Sequence, residues 1–288
     1  MTAACEPLAA ATRGIEQPSA VHLVLDVYGE RRSVLTDRIE LARQIVNNFG
    51  TMVVEAEPRP RDTPSDLQIL CSPGTPLARQ WQLFSEKLAA ALVERFLLLH
   101  AAAVALDGRS HRGGAPPTRR ACLFVGAGGS GKTTLSLAAA QRGHTLLGDD
   151  LVALDWHTAR LLAMPFPLRP RPDIRRTLGP AVARLCRRPV PTDPAEAPTL
   201  VRAILLETNR ARRRARPRAV VSLLQAVHAG HGVPTRTLLH HLLRGMRHAD
   251  VLSVARLPPL GCSLQPQARM CESLFRGAPA APTSGEAS

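Results

Sequence analysis

Lysine is almost missing from this chain: Lys87 and Lys132 are the only two among 37 basic residues, and all the rest are arginine. Against 23 acids the formal net charge is +14. A balance of that kind is a footprint of nucleic-acid binders, but here it accompanies abundant alanine and proline and reads as coding bias, so a dedicated nucleic-acid role is not expected. Aromatic residues are only 3% of the chain. A core must therefore rest on Leu, Val, Ala and Ile, and a hydrophobic fraction of 45% is enough to build one. The six cysteines, Cys5, Cys71, Cys122, Cys186, Cys262 and Cys271, form no C-x-x-C pair, and none has a histidine at finger spacing. The pattern thus indicates neither zinc nor a disulfide framework and fits a reducing cytoplasm. Long apolar runs are missing too. The most apolar stretch, Leu88 to Leu106, is interrupted by Glu94, Arg95 and His100 and does not read as a membrane span. No basic segment followed by an apolar core opens the chain, so a signal peptide is not expected.

What is present centres on Leu123-Phe-Val-Gly-Ala-Gly-Gly-Ser-Gly-Lys-Thr-Thr134. It contains Gly126-x4-Gly131-Lys132-Thr133, the G-x-x-x-x-G-K-[ST] pattern of a phosphate-cradling loop between a strand and a helix. The apolar run Ala121 to Val125 predicts a buried strand, and the Ala/Leu-rich Thr133 to Gln141 predicts a helix. Gly126, Gly128, Gly129 and Gly131 admit positive φ and let backbone N–H groups approach an anion. Ala127, Ser130 and Thr134 complete the candidate binding stretch at a helix N-terminus, whose dipole favours phosphate. In this pattern Lys132 reaches the β/γ-phosphates and the Thr133 hydroxyl holds Mg²⁺.

Gly143 stands where a helix C′ glycine belongs. His144 to Gly148 predicts a strand with Asp149-Asp150 at its C-terminal end, the edge at which open α/β sheets bind ligands. Two adjacent acids beside a triphosphate suit a metal ligand plus a base, although Gly-Asp-Asp is also a common turn.

Leu98-Leu-His100-Ala-Ala-Ala-Val-Ala, then Gly126 to Thr134, then Arg142-Gly-His-Thr-Leu-Leu-Gly-Asp149-Asp150 resembles the bacterial HPr kinase/phosphorylase family, and more closely the HPr kinase-related proteins, some of them encoded beside ribosomal peptide biosynthesis genes. The resemblance runs from about Leu97 to Leu154. It implies an α/β fold with a phosphoenolpyruvate carboxykinase/HPr kinase-like P-loop nucleotide-binding core, ATP and Mg²⁺ as cofactors, and His100 near the transferred phosphate. The Pro/Arg segment Met164 to Arg171 resembles the one that follows the acid pair in the kinase-related proteins; Arg169 and Arg171 read first as solvated surface arginines and second as charge-neutralising groups. The acidic, glycine-rich signature that true HPr kinase/phosphorylases carry further downstream is not found here, which argues against HPr as the substrate.

The expected organisation is a tail and small α+β region over 1–78, a kinase core over 79–276 and a tail over 277–288. Strands are expected at Val21 to Tyr28, Met52 to Ala56, Leu67 to Cys71, Phe96 to Ala105, Leu151 to Leu154, Val201 to Glu207 and Val251 to Leu257. Helices are expected at Asp37 to Phe49, Gln80 to Phe96, Ala219 to Val227, Pro234 to Met246 and Gln265 to Phe275. Glu57 to Pro64, Asp107 to Arg120 and Ala181 to Pro198 read as loops. Asn209 to Arg218 is an arginine block, read first as a solvated loop and second as a dock for an acidic peptide or RNA. The function expected is ATP-dependent phosphorylation of a hydroxyl, foremost a serine on a peptide or small protein. Asp149 acts as base, assisted by His100, Lys132 supplies charge, and Asp150 with Thr133 orders the metal. The alternatives are a true HPr kinase/phosphorylase and a nucleotide-binding regulator without turnover. A mechanical ATPase is disfavoured because no strand-helix unit separates the loop from the acids. A homo-oligomer is an open alternative, and no membrane partner is expected.

Overall fold

The computed structural model of the chain describes residues 20–106, 120–164, 172–178, 197–206, 216–228, 233–254, 257 and 263–276. Its backbone is mixed α/β, with two mixed sheets and flanking helices. Two compact units are present, residues 1–94 with 229–233, and residues 95–228 with 234–288.

The first unit contains β1 (Ala20–Val27), β2 (Glu30–Thr36), α1 (Ile39–Phe49), β3 (Val53–Arg59), β4 (Leu67–Ile69) and α2 (Leu77–Leu92). Its sheet runs β3-β1-β2-β4, antiparallel except for the β2–β4 pair. Val21, Leu23, Leu25 and Val27 are buried on one face of β1, as the alternation predicts. Phe49 and Phe84 meet edge-to-face at 5.7 Å and tie α1 to α2. Two readings are corrected. Helix α2 ends at Leu92, so Phe96 belongs to the next strand. Strand β3 continues through Glu57 and Pro58 to Arg59, into the expected loop. It does so because β3 is an edge strand of this sheet, where a proline without an N–H is tolerated.

The second unit carries β5 (Phe96–Leu99), β6 (Ala102–Leu106), β7 (Arg120–Gly126), α3 (Lys132–Gln141), β8 (Thr145–Gly148), β9 (Val152–Asp155), β10 (Arg160–Ala163), α4 (Pro172–Leu178), β11 (Thr199–Leu206), α5 (Arg216–Ala226), α6 (Thr235–Gly245), β12 (Asp250–Val254) and α7 (Gln265–Phe275). The sheet order is β5-β9-β10-β11-β7-β6-β8, with β12 on β11. The expected single strand over Phe96 to Ala105 is broken at His100-Ala101. The registers give the reason. Leu99 pairs with Val152, Ala103 pairs with Gly148, and the two long antiparallel segments bend together between those pairs. Both bends are therefore opposite each other, with His100-Ala101 on one strand and Asp149-Asp150-Leu151 on the other.

Strands β7, β11 and β12 run parallel, and Leu206 of β11 stands opposite Gly126 of β7. On one face of this sheet Cys122, Phe124, Val201 and Ile204 share a core with Leu135, Ala138 and Ala139 of α3 and Ala268 and Cys271 of α7. At the surface of that packing Arg142 bridges α3 to α7, donating to Gln265 Oε1 at 3.1 Å and lying 3.3 Å from Glu272. Buried Arg202 on β11 reaches Asp250 at 2.9 Å and the Leu274 and Arg276 carbonyls at the end of α7. Among the described residues no helix is long and apolar enough to cross a membrane.

Candidate functional site

Strand β7 delivers the chain into the glycine loop at Gly126. A β-carbon there would lie 2.6 Å from Ser130 Oγ and 2.7 Å from the Leu206 carbonyl, so only glycine fits against the neighbouring strand. A turn closes with Ser130 N–H donating to the Ala127 carbonyl at 3.1 Å. Gly129 and Gly131 hold φ of 78° and 98°, and Gly131 starts α3 with no side chain capping its first N–H groups. Ala127, Gly128 and Gly129 are exposed, and Ser130, Thr133 and Thr134 are half-buried. An uncapped helix N-terminus behind an exposed glycine turn suits an oxyanion. Lys132 is only 6% exposed. Its Nζ donates to the Gly126 carbonyl at 2.7 Å and the Ala127 carbonyl at 3.3 Å, which folds the ammonium over the loop. Burial lowers its pKa, and Asp150 and then Asp149 oppose that shift.

The acid pair sits at the end of β8. Thr133 Oγ1 lies 2.9 and 3.0 Å from the two oxygens of Asp149, close enough for its hydroxyl to donate to either. Asp149 is 5% exposed, and burial, with the Asp150 charge adding to it, raises its carboxyl to about 6 despite the Thr133 bond and Lys132. Asp150 is exposed and stands at φ 73°, a left-handed conformation that Asp adopts more readily than most residues. His100 faces it across the double bend. His100 is exposed by surface area, yet partial desolvation of its imidazole, then the Lys132 charge, lowers its pKa, and its nearness to Asp150 opposes this. Its own N–H donates to the Ala226 carbonyl at 2.6 Å, which fixes the bend from the side of α5.

The structure thus brings His100, Lys132, Thr133, Asp149 and Asp150 to one edge of the sheet. It pairs Thr133 with Asp149, whereas the sequence reading pairs Thr133 with Asp150. Arg169, Arg171 and the arginine block up to residue 215 lie outside the described residues. Among those described, no three His, Cys, Asp or Glu side chains are grouped to hold a metal ion. The oxygen pair of Thr133 and Asp149 nevertheless suits Mg²⁺, which is commonly held by one or two carboxylates with phosphate oxygens and water. Sequence reasoning misses Leu206 and Ala226, which support the loop and the His100 bend through main-chain contacts, because backbone carbonyls leave no residue-type signal. No protein-family model matches the chain, and no curated protein matches it.

Proposed function

We propose that the chain is an ATP-dependent phosphotransferase with a P-loop core of the phosphoenolpyruvate carboxykinase/HPr kinase type, acting in the cytoplasm on a hydroxyl of a peptide or small protein, foremost a serine. One observation carries the reading: the uncapped glycine loop meets a cation, a hydroxyl and two carboxylates of different exposure at a single double bend. Bound Mg·ATP would supply the phosphoryl group and the divalent charge. Phosphoryl transfer asks a protein mainly for positioning and charge neutralisation. Lys132 has its ammonium already folded over the loop and would neutralise phosphate. Thr133 and Asp149 would hold the metal.

The acceptor proton falls to Asp150. A base must be reachable by an incoming hydroxyl, and Asp150 is exposed while Asp149 is buried against Thr133. This reverses the roles expected from the sequence, where Asp149 is the base and Asp150 the metal ligand. His100, which lies beside Asp150 at the double bend, would hold that acid in place. Buried free thiols at Cys122 and Cys271 support a reducing compartment.

The test is incubation with γ-labelled ATP, Mg²⁺ and serine-bearing peptides, with the phosphate located by mass spectrometry. Lys132→Ala should abolish transfer while the circular dichroism spectrum is kept. Parent-level transfer by folded Lys132→Ala would remove the loop from the mechanism.

A further inference from the structure

The glycine loop is braced at one end by a residue of β11 and at the other by a residue that follows β12. Leu206, the last residue of β11, occupies the space beside Gly126. At the other end a β-carbon on Gly131 would lie 2.2 Å from Leu257 Cδ1, which comes three residues after β12. Leu257 also packs against the core shared by α3 and α7. Gly131 is the residue whose left-handed backbone, φ 98°, turns the loop into α3 at Lys132. No side chain caps that helix start, and the contact of Leu257 with Gly131 is apolar.

We infer that Leu257 is a positioning residue of the nucleotide site: it presses on Gly131 and keeps the start of α3 in the shape that receives phosphate. The inference rests on the phosphotransferase reading of the loop. A residue that shapes the loop acts on nucleotide capture. Its contacts are with Gly131 and the core under α3, so its removal should appear in nucleotide affinity and leave turnover at saturation alone.

The experiment uses the full chain and Mg·ATP, with binding followed by calorimetry at 10 °C and transfer followed with a serine peptide. Leu257→Ala should weaken Mg·ATP binding by about tenfold and raise the KM for ATP by a similar factor. Its kcat at saturating ATP and its peptide KM should stay at the parent values. Leu257→Met, which keeps most of the volume, should return affinity to within about twofold of the parent. Equal Mg·ATP affinity in Leu257→Ala and parent overturns the inference alone. So does a fall in kcat with unchanged KM, or a Leu257→Met variant as weak as Leu257→Ala. A parent chain that binds no Mg·ATP overturns both this inference and the reading of the loop.

Discussion

Asp149 sits where its charge is poorly accommodated. Its carboxyl is lifted from 3.8 to about 6, chiefly by burial. A carboxyl raised in the folded state holds its proton more tightly there than in the unfolded chain. Between pH 4 and pH 6 the unfolded state sheds that proton while the folded state keeps it, so the group destabilises the fold increasingly as pH rises. Above the folded value the penalty is complete, at most about 3 kcal/mol. In Mg²⁺-free buffer Asp149→Asn should therefore have a higher thermal midpoint than the parent at pH 7, with a gain that shrinks toward pH 4. A lower midpoint at pH 7 would show that the carboxylate is well served by its neighbours. With Mg²⁺ present the same variant should bind nucleotide more weakly and recover in part at excess metal. Asp150 predicts a different failure. Asp150→Gly keeps the left-handed backbone and removes the carboxylate. It should bind Mg·ATP as the parent does and lose kcat by roughly 10²–10⁴-fold, the range for general base catalysis. If added metal rescues the Asp150 variant instead, the two roles are the other way round.

Among the elements, α3 shows both how much is legible in a sequence and what is not. Its loop, its start and its end are written in glycine. At the C-terminus Gly143, φ 97°, donates to the Ala140 carbonyl at 3.1 Å, and His144 donates to the Ala139 carbonyl at 3.3 Å, a Schellman closure. Gly143→Ala meets no neighbour within 4 Å, so its cost is backbone strain alone, about 1–2 kcal/mol. Urea unfolding should show that loss in the midpoint with an unchanged slope. Strands β2 and β10 escape the sequence reading. Glu30-Arg-Arg-Ser offers little apolar signal, and Arg160–Ala163 is only four residues long. The bend at His100 escapes it too, because a continuous apolar run is equally consistent with one strand or two. Where side-chain pattern specifies structure, as in β1 and α1, expectation and fold agree. Where pairing between distant strands decides, the pattern is silent.

At the scale of the whole molecule the charge is the feature with the widest reach. Nine arginines and five histidines, and no acid, occupy residues 208–249. This stretch follows β11, which ends opposite Gly126, and its described part pairs with Leu98–His100 through Ala226 and His228. If the block docks an acidic peptide, replacing Arg212, Arg213 and Arg214 with alanine should raise the peptide KM and flatten its dependence on salt. Kinetics unchanged across a salt series would return the block to the role of a solvated loop. The supports of the glycine loop have a further consequence, one of timing. Strand β7 is complete at Gly126, but its parallel neighbour begins only at Thr199 and Leu257 follows later still. Contacts so far apart in sequence close late and slowly. On the phosphotransferase reading proposed above, a chain emerging from its N-terminus should make the loop's residues early and hold no nucleotide until most of its length has folded. A chain cut before Thr199 should fail to bind Mg·ATP even with every glycine of the motif present.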